Sequence, residues 1–302
     1  MNGFIVIDKP PGVTSHDVVS RVRRILGTRK VGHTGTLDPF ATGVLAVAVN
    51  EGTKAIPFLD EGLKGYDAIL RLGVKTDTLD MTGRVLHEAD GTAVSPDRLE
   101  AVVKSFVGEI SQVPPMFSAI KRNGQPLYKM ARKGLEVERQ PRRVQINTLE
   151  ILSVILPLVA LRVVCSRGTY VRSLADDMGA ALGCGAALKE LHRTASGPFD
   201  IASSVTLEGL EEAVREGRAD ALCRTPYAAL GHLDAIPLND AGLAKVGHGR
   251  APGLEDTLVA AWPACDSPRL VRLSSGGKLV AVAELSPLDG GGFHVMLKRV
   301  FC

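Results

Sequence analysis

Gly32-His33-Thr34-Gly35-Thr36-Leu37-Asp38-Pro39-Phe40-Ala41-Thr42-Gly43 gathers one carboxylate, three glycines, three threonines and a histidine between two regular segments. Upstream, Val18, Val19, Val22 and Ile25 recur at near-helical spacing, which predicts a helix over Ser15 to Leu26. Downstream, Val44 to Val49 is an apolar run of strand length. A loop held by rigid neighbours is where catalytic groups tend to sit. Glycines let a ligand approach the backbone, and Pro39 fixes the chain just after Asp38. Asp-Pro is also ordinary turn chemistry, so the reading rests on the whole twelve-residue string.

Working outward, strand patterns are expected at Phe4–Ile7, Tyr66–Leu72, Arg84–His87, Val144–Val154 and Leu158–Cys165. Helical patterns fall at Pro96–Phe106, Leu127–Lys133, Tyr170–Leu182 and Leu207–Arg215, with Ser95-Pro96-Asp97 as a helix start. This mixture predicts an α+β protein: a mixed or antiparallel sheet with flanking helices. Val113 to Arg143 breaks the rhythm after Pro114-Pro115, and reads as an inserted lobe that closes over substrate. From Ile236 onward, short alternating strands separated by glycine-rich turns predict a small β-barrel. The expected division is therefore 1–232, carrying the insertion 113–143, followed by 233–302.

Net charge is only +3, but its distribution is uneven. Val113 to Arg143 carries eight basic residues, Lys121, Arg122, Lys129, Arg132 and Lys133 among them, against Glu136 and Glu138. Clustered positive charge is the footprint of a phosphate-backbone binder. No apolar run reaches membrane-spanning length, since Ile151 to Cys165 is interrupted by Ser153, Pro157 and Arg162. Five scattered cysteines without a paired motif, and no secretory signal, lead us to expect a cytoplasmic protein with reduced thiols. The seven histidines form no paired ligand motif, and there is no Walker or Rossmann glycine loop, so neither metal nor cofactor is expected.

The twelve-residue string resembles the signature of the TruB family of tRNA pseudouridine synthases. Gly3 to Gly12, Lys64 to Gly73 with Thr76-Asp77-Thr78, Cys165 to Leu174, and Leu191 to Gly197 resemble that family's other motifs in order. The sequence departs at His192, where the family usually has an arginine that makes a backbone contact. The resemblance implies the pseudouridine synthase fold, a mobile thumb at the insertion and a PUA-like C-terminal domain. It implies isomerisation of the T-arm uridine at tRNA position 55, with Asp38 catalytic and Arg172 as its ion-pair partner. Tyr66 would stack on the uracil and lend its hydroxyl to removal of the C5 proton; Tyr170 and Leu191 would line the pocket. His33 would fill the gap left by the flipped base. Further expectations are a monomer needing no protein partner. Two other readings remain open from sequence: a synthase guided by a small RNA and partner proteins, and a non-catalytic tRNA-binding or folding factor.

Overall fold

The computed structural model describes residues 1–60, 62–122, 124–289 and 292–301; Cys302 lies outside the described residues. Seven strands run across the main sheet in the order Gly3–Lys9, Thr42–Val49, Ala186–Ser196, Leu63–Leu72, Leu158–Ser166, Arg142–Ile155, Gly108–Gln112. Val31–His33 and Phe199–Asp200 pair onto it from the side. Within this sheet, Thr42–Val49 and Ala186–Ser196 run parallel, through His192 opposite Thr42 and Arg193 opposite Gly43. The other pairings are antiparallel.

The apolar run Val44–Val49 is buried on both faces, as an uninterrupted hydrophobic strand must be. One face packs Val18, Val19 and Val22 of the helix Ser15–Leu26 against Ile5, Ile7, Leu45 and Val47. That helix begins with a capping box between Thr14 and Asp17 and stops at Gly27, whose φ of 61° is the left-handed cap. Across the sheet, a second core joins Tyr66, Leu70 and Leu161 to Leu174 and Met178 of the helix Val171–Leu182.

Residues 113–143 leave and return at one point of the sheet edge, because Gln112 and Arg142 are paired neighbours. Between them lie a ribbon pairing Lys121–Arg122 with Gln125–Pro126, and the helix Leu127–Ala131, two residues shorter than expected. This geometry fits an insertion into a hairpin.

Two readings are corrected. Leu191 to Gly197 was expected only as a motif, yet most of it belongs to an eleven-residue strand inside the sheet, Ala186–Ser196. Lys189, Glu190, His192 and Arg193 mask its alternation. Among the described residues the C-terminal segment forms an open four-stranded sheet, Asp234–Pro237, Arg269–Ser275, Lys278–Pro287 and Phe293–Val300, rather than a barrel. Four strands are too few to close around a core. Ile236, Val271, Leu273 and Ala283 of the sheet pack with Leu238 and Val246, while Val282, Leu270 and Phe301 enter a core shared with Phe4, Val44 and Phe199.

Candidate active site

Residues 34–41 join two paired strands, Val31–His33 and Thr42–Val49, and are tied down from three directions. Leu37 and Ala41 are buried, and the Leu37 backbone both accepts from and donates to Ser15 Oγ, at 3.1 and 2.9 Å. Lys9, with 0% of its surface exposed, donates from Nζ to the carbonyls of Pro10, Val13 and Pro39. Burial pushes its ammonium down to about 8, and the nearby Arg193 adds to this, while Asp38 pulls the other way. Arg193, 1% exposed, donates to the carbonyls of Val44, Thr36 and Gly35 at 2.7, 3.3 and 3.2 Å. Gly43 sits at φ 97°, and a Cβ there would lie 2.3 Å from the Arg193 carbonyl oxygen, so only glycine fits.

The Ala41 amide donates to the Asp38 carbonyl at 3.1 Å, so Asp38-Pro39 does form a turn. That turn aims the carboxylate at Arg172. Arg172 Nε lies 2.9 Å from Oδ2, and Nη2 donates to Oδ1 at 3.1 Å. The Arg172 side chain is 4% exposed, while Asp38 keeps 33% of its side chain open to solvent. The guanidinium also donates to the carbonyls of Thr78 and Phe117, at 3.0 and 2.8 Å, and lies 3.7 Å from Asp80. So enclosed an arginine has no free edge for a phosphate. Burial pushes the Asp38 carboxyl above the ordinary carboxylate range, and Asp80 adds to this; Arg172 and Lys9 oppose it by favouring the ionised form.

Asp80 was not singled out from sequence, although it lies just beyond Thr76-Asp77-Thr78. Its Oδ1 accepts from the hydroxyls of Thr78 and Thr82 and from the Thr82 amide. Leu79 takes a left-handed conformation, φ 63°, between Thr78 and Asp80, which both face Arg172. Bonds from the Leu79 amide to the Thr76 carbonyl, and from the Leu188 amide to the Leu79 carbonyl, hold it there. Lys9, Ser15 and Arg193 also went unread as site residues. Arg193 stands in register with Tyr66 across the sheet, and the neighbouring His192 shares a 2.9 Å contact between Nδ1 and Thr42 Oγ1. The His192 departure therefore leaves the arginine that holds the loop in place.

Tyr66 is buried, and that burial pushes its phenol up to about 12, with Arg193 pulling it back. A phenol held neutral suits a stacking and hydrogen-bonding surface, and can pass on a proton only by relay. Leu191 belongs to the same apolar cluster as Leu37, Ala41 and Tyr66. Tyr170 is the cap residue of Val171–Leu182, with a phenol raised by partial burial and Ser118 pulling against it. His33 lies on the strand entering the loop. Burial, then Arg193 and His16, lower its imidazole, and its Nδ1 is buried without a hydrogen-bond partner. A neutral ring fits a wedge between bases better than a phosphate contact. Lys121, Arg122, Lys129, Arg132 and Lys133 are exposed on the insertion, and none is ion-paired among the described residues. Arg132 lies over the Tyr128 ring, 5.5 Å from its centre. Among the described residues no group of three or more His, Cys, Asp or Glu side chains is arranged to hold a metal ion.

The site thus brings together a partly open carboxylate, a buried arginine that holds it and a buried tyrosine of the mixed sheet. Residues 23–171 match the family described as TruB family pseudouridylate synthase (N terminal domain), and residues 172–229 match tRNA pseudouridylate synthase B C-terminal domain. The chain is 57% identical over 284 residues to the tRNA pseudouridine synthase B of Geotalea uraniireducens (strain Rf4), covering 94% of this chain and 92% of that one. It is 54% identical to the corresponding protein of Geobacter sulfurreducens (strain ATCC 51573 / DSM 12127 / PCA), covering 94% and 93%. Among solved structures it is similar to a chain of an H/ACA RNP bound to a substrate RNA containing 2'-deoxyuridine: TM-score 0.76, 29% identity, 99% of this chain and 85% of that one. A Cbf5-Nop10-Gar1 complex gives the same TM-score at 30% identity, with 99% and 85% covered. The chain belongs to the TruB family of pseudouridylate synthases.

Proposed function

We propose that this chain is a tRNA pseudouridine synthase in which Asp38 acts on the ribose of a T-arm uridine, position 55. The observation that carries the reading is the two-point Asp38–Arg172 contact, in which a buried guanidinium favours the ionised carboxylate and aims it while leaving it partly open to solvent. Breaking the N1–C1′ bond, turning the base and joining C5 to C1′ gives an isomer of the starting nucleotide. The reaction adds no outside group and moves no electrons to an acceptor. Asp38 either attacks C1′ or takes the C2′ proton; each route splits one difficult step into two.

A uridine inside folded RNA must leave its stack to reach this carboxylate. Tyr66 offers its ring to the flipped uracil, Leu191 and Tyr170 close the walls, and the neutral His33 takes the vacated position. The exposed cations of 113–143 meet the phosphate backbone, as a thumb would. We assign 1–232 to catalysis and 233–302, whose sheet starts at Asp234, to further RNA contact as a PUA-like unit. The enzyme acts as a cytoplasmic monomer without a protein partner in this proposal. No described helix is long and apolar enough to cross a membrane.

The test is incubation of the purified chain with unmodified tRNA alone, with and without the T-arm uridine. Pseudouridine at that uridine without any partner supports the proposal. Formation only with a guide RNA and partner proteins would favour the guided reading, and tRNA binding with no product would leave a binding factor.

A further inference from the structure

We infer that Gln112 is a positioning residue of this site, whose amide ties the root of the insertion to the backbone that aims Arg172 at Asp38. The inference rests on the function proposed above. Gln112 ends the edge strand Gly108–Gln112, is 2% exposed, and its strand pairs with Arg142–Ile155 on one side. Its side chain reaches out of the sheet to the backbone just before the helix Val171–Leu182. Nε2 donates to the Tyr170 carbonyl at 3.1 Å, and Oε1 accepts from the Tyr170 amide at 2.8 Å.

Tyr170 caps Val171–Leu182 without a side-chain cap bond, and its carbonyl also takes the first helical bond, from the Leu174 amide at 3.0 Å. A planar amide that donates and accepts at once fixes both backbone groups of one residue. Among side chains only Gln and Asn carry that unit, and Asn is one methylene shorter. Arg172 follows two residues later, so any tilt of this helix start moves its guanidinium against Asp38.

Two further bonds join the same two segments. Ser173 Oγ donates to the Val113 carbonyl at 2.9 Å, and Arg172 Nη2 donates to the Phe117 carbonyl at 2.8 Å. Gln112–Phe117 and Tyr170–Ser173 thus form one locked unit, in which seating the insertion and aligning the ion pair are a single event. A purely structural amide would satisfy the Tyr170 backbone and affect stability alone. That role does not account for three successive links converging on the stretch that holds Arg172.

The test uses Gln112→Glu, of the same shape but lacking the donor, and Gln112→Met, lacking both functions. Folding is checked by circular dichroism and melting temperature. Single-turnover pseudouridine formation, tRNA affinity and the pH dependence of the rate are then measured. The rate should fall by about tenfold or more in both variants, since misplacement by about 1 Å costs up to about a hundredfold. Affinity should stay within a few-fold, and the acid-side midpoint of the rate should move to higher pH as Arg172 loosens from Asp38. A fall of less than about tenfold in the folded variants overturns the inference, as does a loss confined to affinity. If Gln112→Met does not fold, Gln112→Glu decides alone. A parent chain that makes no pseudouridine overturns the functional reading and this inference with it. An active parent with unaffected variants overturns this inference only.

Discussion

The loop carrying Asp38 and the insertion 113–143 are of the same protein yet built on opposite terms. The loop is short, and buried side chains from distant parts of the chain hold its backbone: Lys9 at Pro39, Ser15 at Leu37, Arg193 at Gly35, Thr36 and Val44. The insertion is long, carries exposed cations, and is fastened to the site at its root, through Gln112, Val113 and Phe117. A carboxylate that must meet one atom of a ribose needs fixed geometry, because preorganised groups reorganise little during reaction. A segment that meets a phosphate backbone needs charge and reach, and tolerates looser placement.

Among changes that leave Asp38 itself in place, the largest effect should come from loosening the fixed region at its charge. Arg172→Lys keeps a cation but loses the two-point grip and the bonds to Thr78 and Phe117. Single-turnover rate at neutral pH should drop about a hundredfold. The sign of the accompanying pH change follows from Asp38: burial raises its proton affinity and Arg172 lowers it. Weakening Arg172 therefore raises it further. Activity is present above the Asp38 midpoint and lost below it, so the acid limb should move to higher pH. An unmoved limb would remove Arg172 from control of Asp38.

A smaller effect sharpens the contrast with one substitution made twice. Gly43→Ala places a methyl 2.3 Å from the Arg193 carbonyl oxygen at φ 97°, whereas Gly134→Ala, at φ 72° in the insertion, meets nothing within 4 Å. Both incur left-handed strain of about 1–2 kcal/mol, and Gly43 adds an overpacking cost of about 1–3 kcal/mol. Denaturant melts should show Gly43→Ala as clearly the more damaging. Equal losses would mean that the loop gives way as easily as the insertion does.

The smallest effects belong to single cations of the insertion. Lys121→Gln, Lys129→Gln or Lys133→Gln should each lower the log–log salt slope of tRNA binding by slightly less than one unit, with the rate at saturating tRNA nearly unchanged. A slope unaffected by all three together would place this face away from RNA.

Much of this was legible in the sequence because it is local. The helix Ser15–Leu26, the apolar strand Val44–Val49 and the string Gly32–Gly43 each announce themselves within a dozen residues, through spacing, caps and glycines. Asp38, Arg172 and Tyr66 were singled out on the family signature, and the fold brings the first two into contact. Lys9, Gln112 and Arg193 were not, because they act through backbone carbonyls and amides, for Gln112 and Arg193 all far away in sequence and for Lys9 including Pro39, and a carbonyl has no residue type. Ala186–Ser196 escaped as a strand for a related reason: its buried Arg193 looks like a surface charge until the loop it holds is in view. The C-terminal strands were readable, but whether they close into a barrel depends on what covers their faces, and that cover includes Phe4 and Val44 from the other end of the chain.

The central claim is that the tightly held loop serves the chemistry of one carboxylate. Asp38→Asn preserves the side chain's shape but can neither attack C1′ nor take a proton from C2′. Single-turnover pseudouridine formation and tRNA affinity, measured on the same folded variant, test it most directly. The account predicts turnover reduced by at least about a thousandfold, more than 4 kcal/mol in barrier, with tRNA affinity within a few-fold of the parent. Turnover within about tenfold of the parent would contradict it.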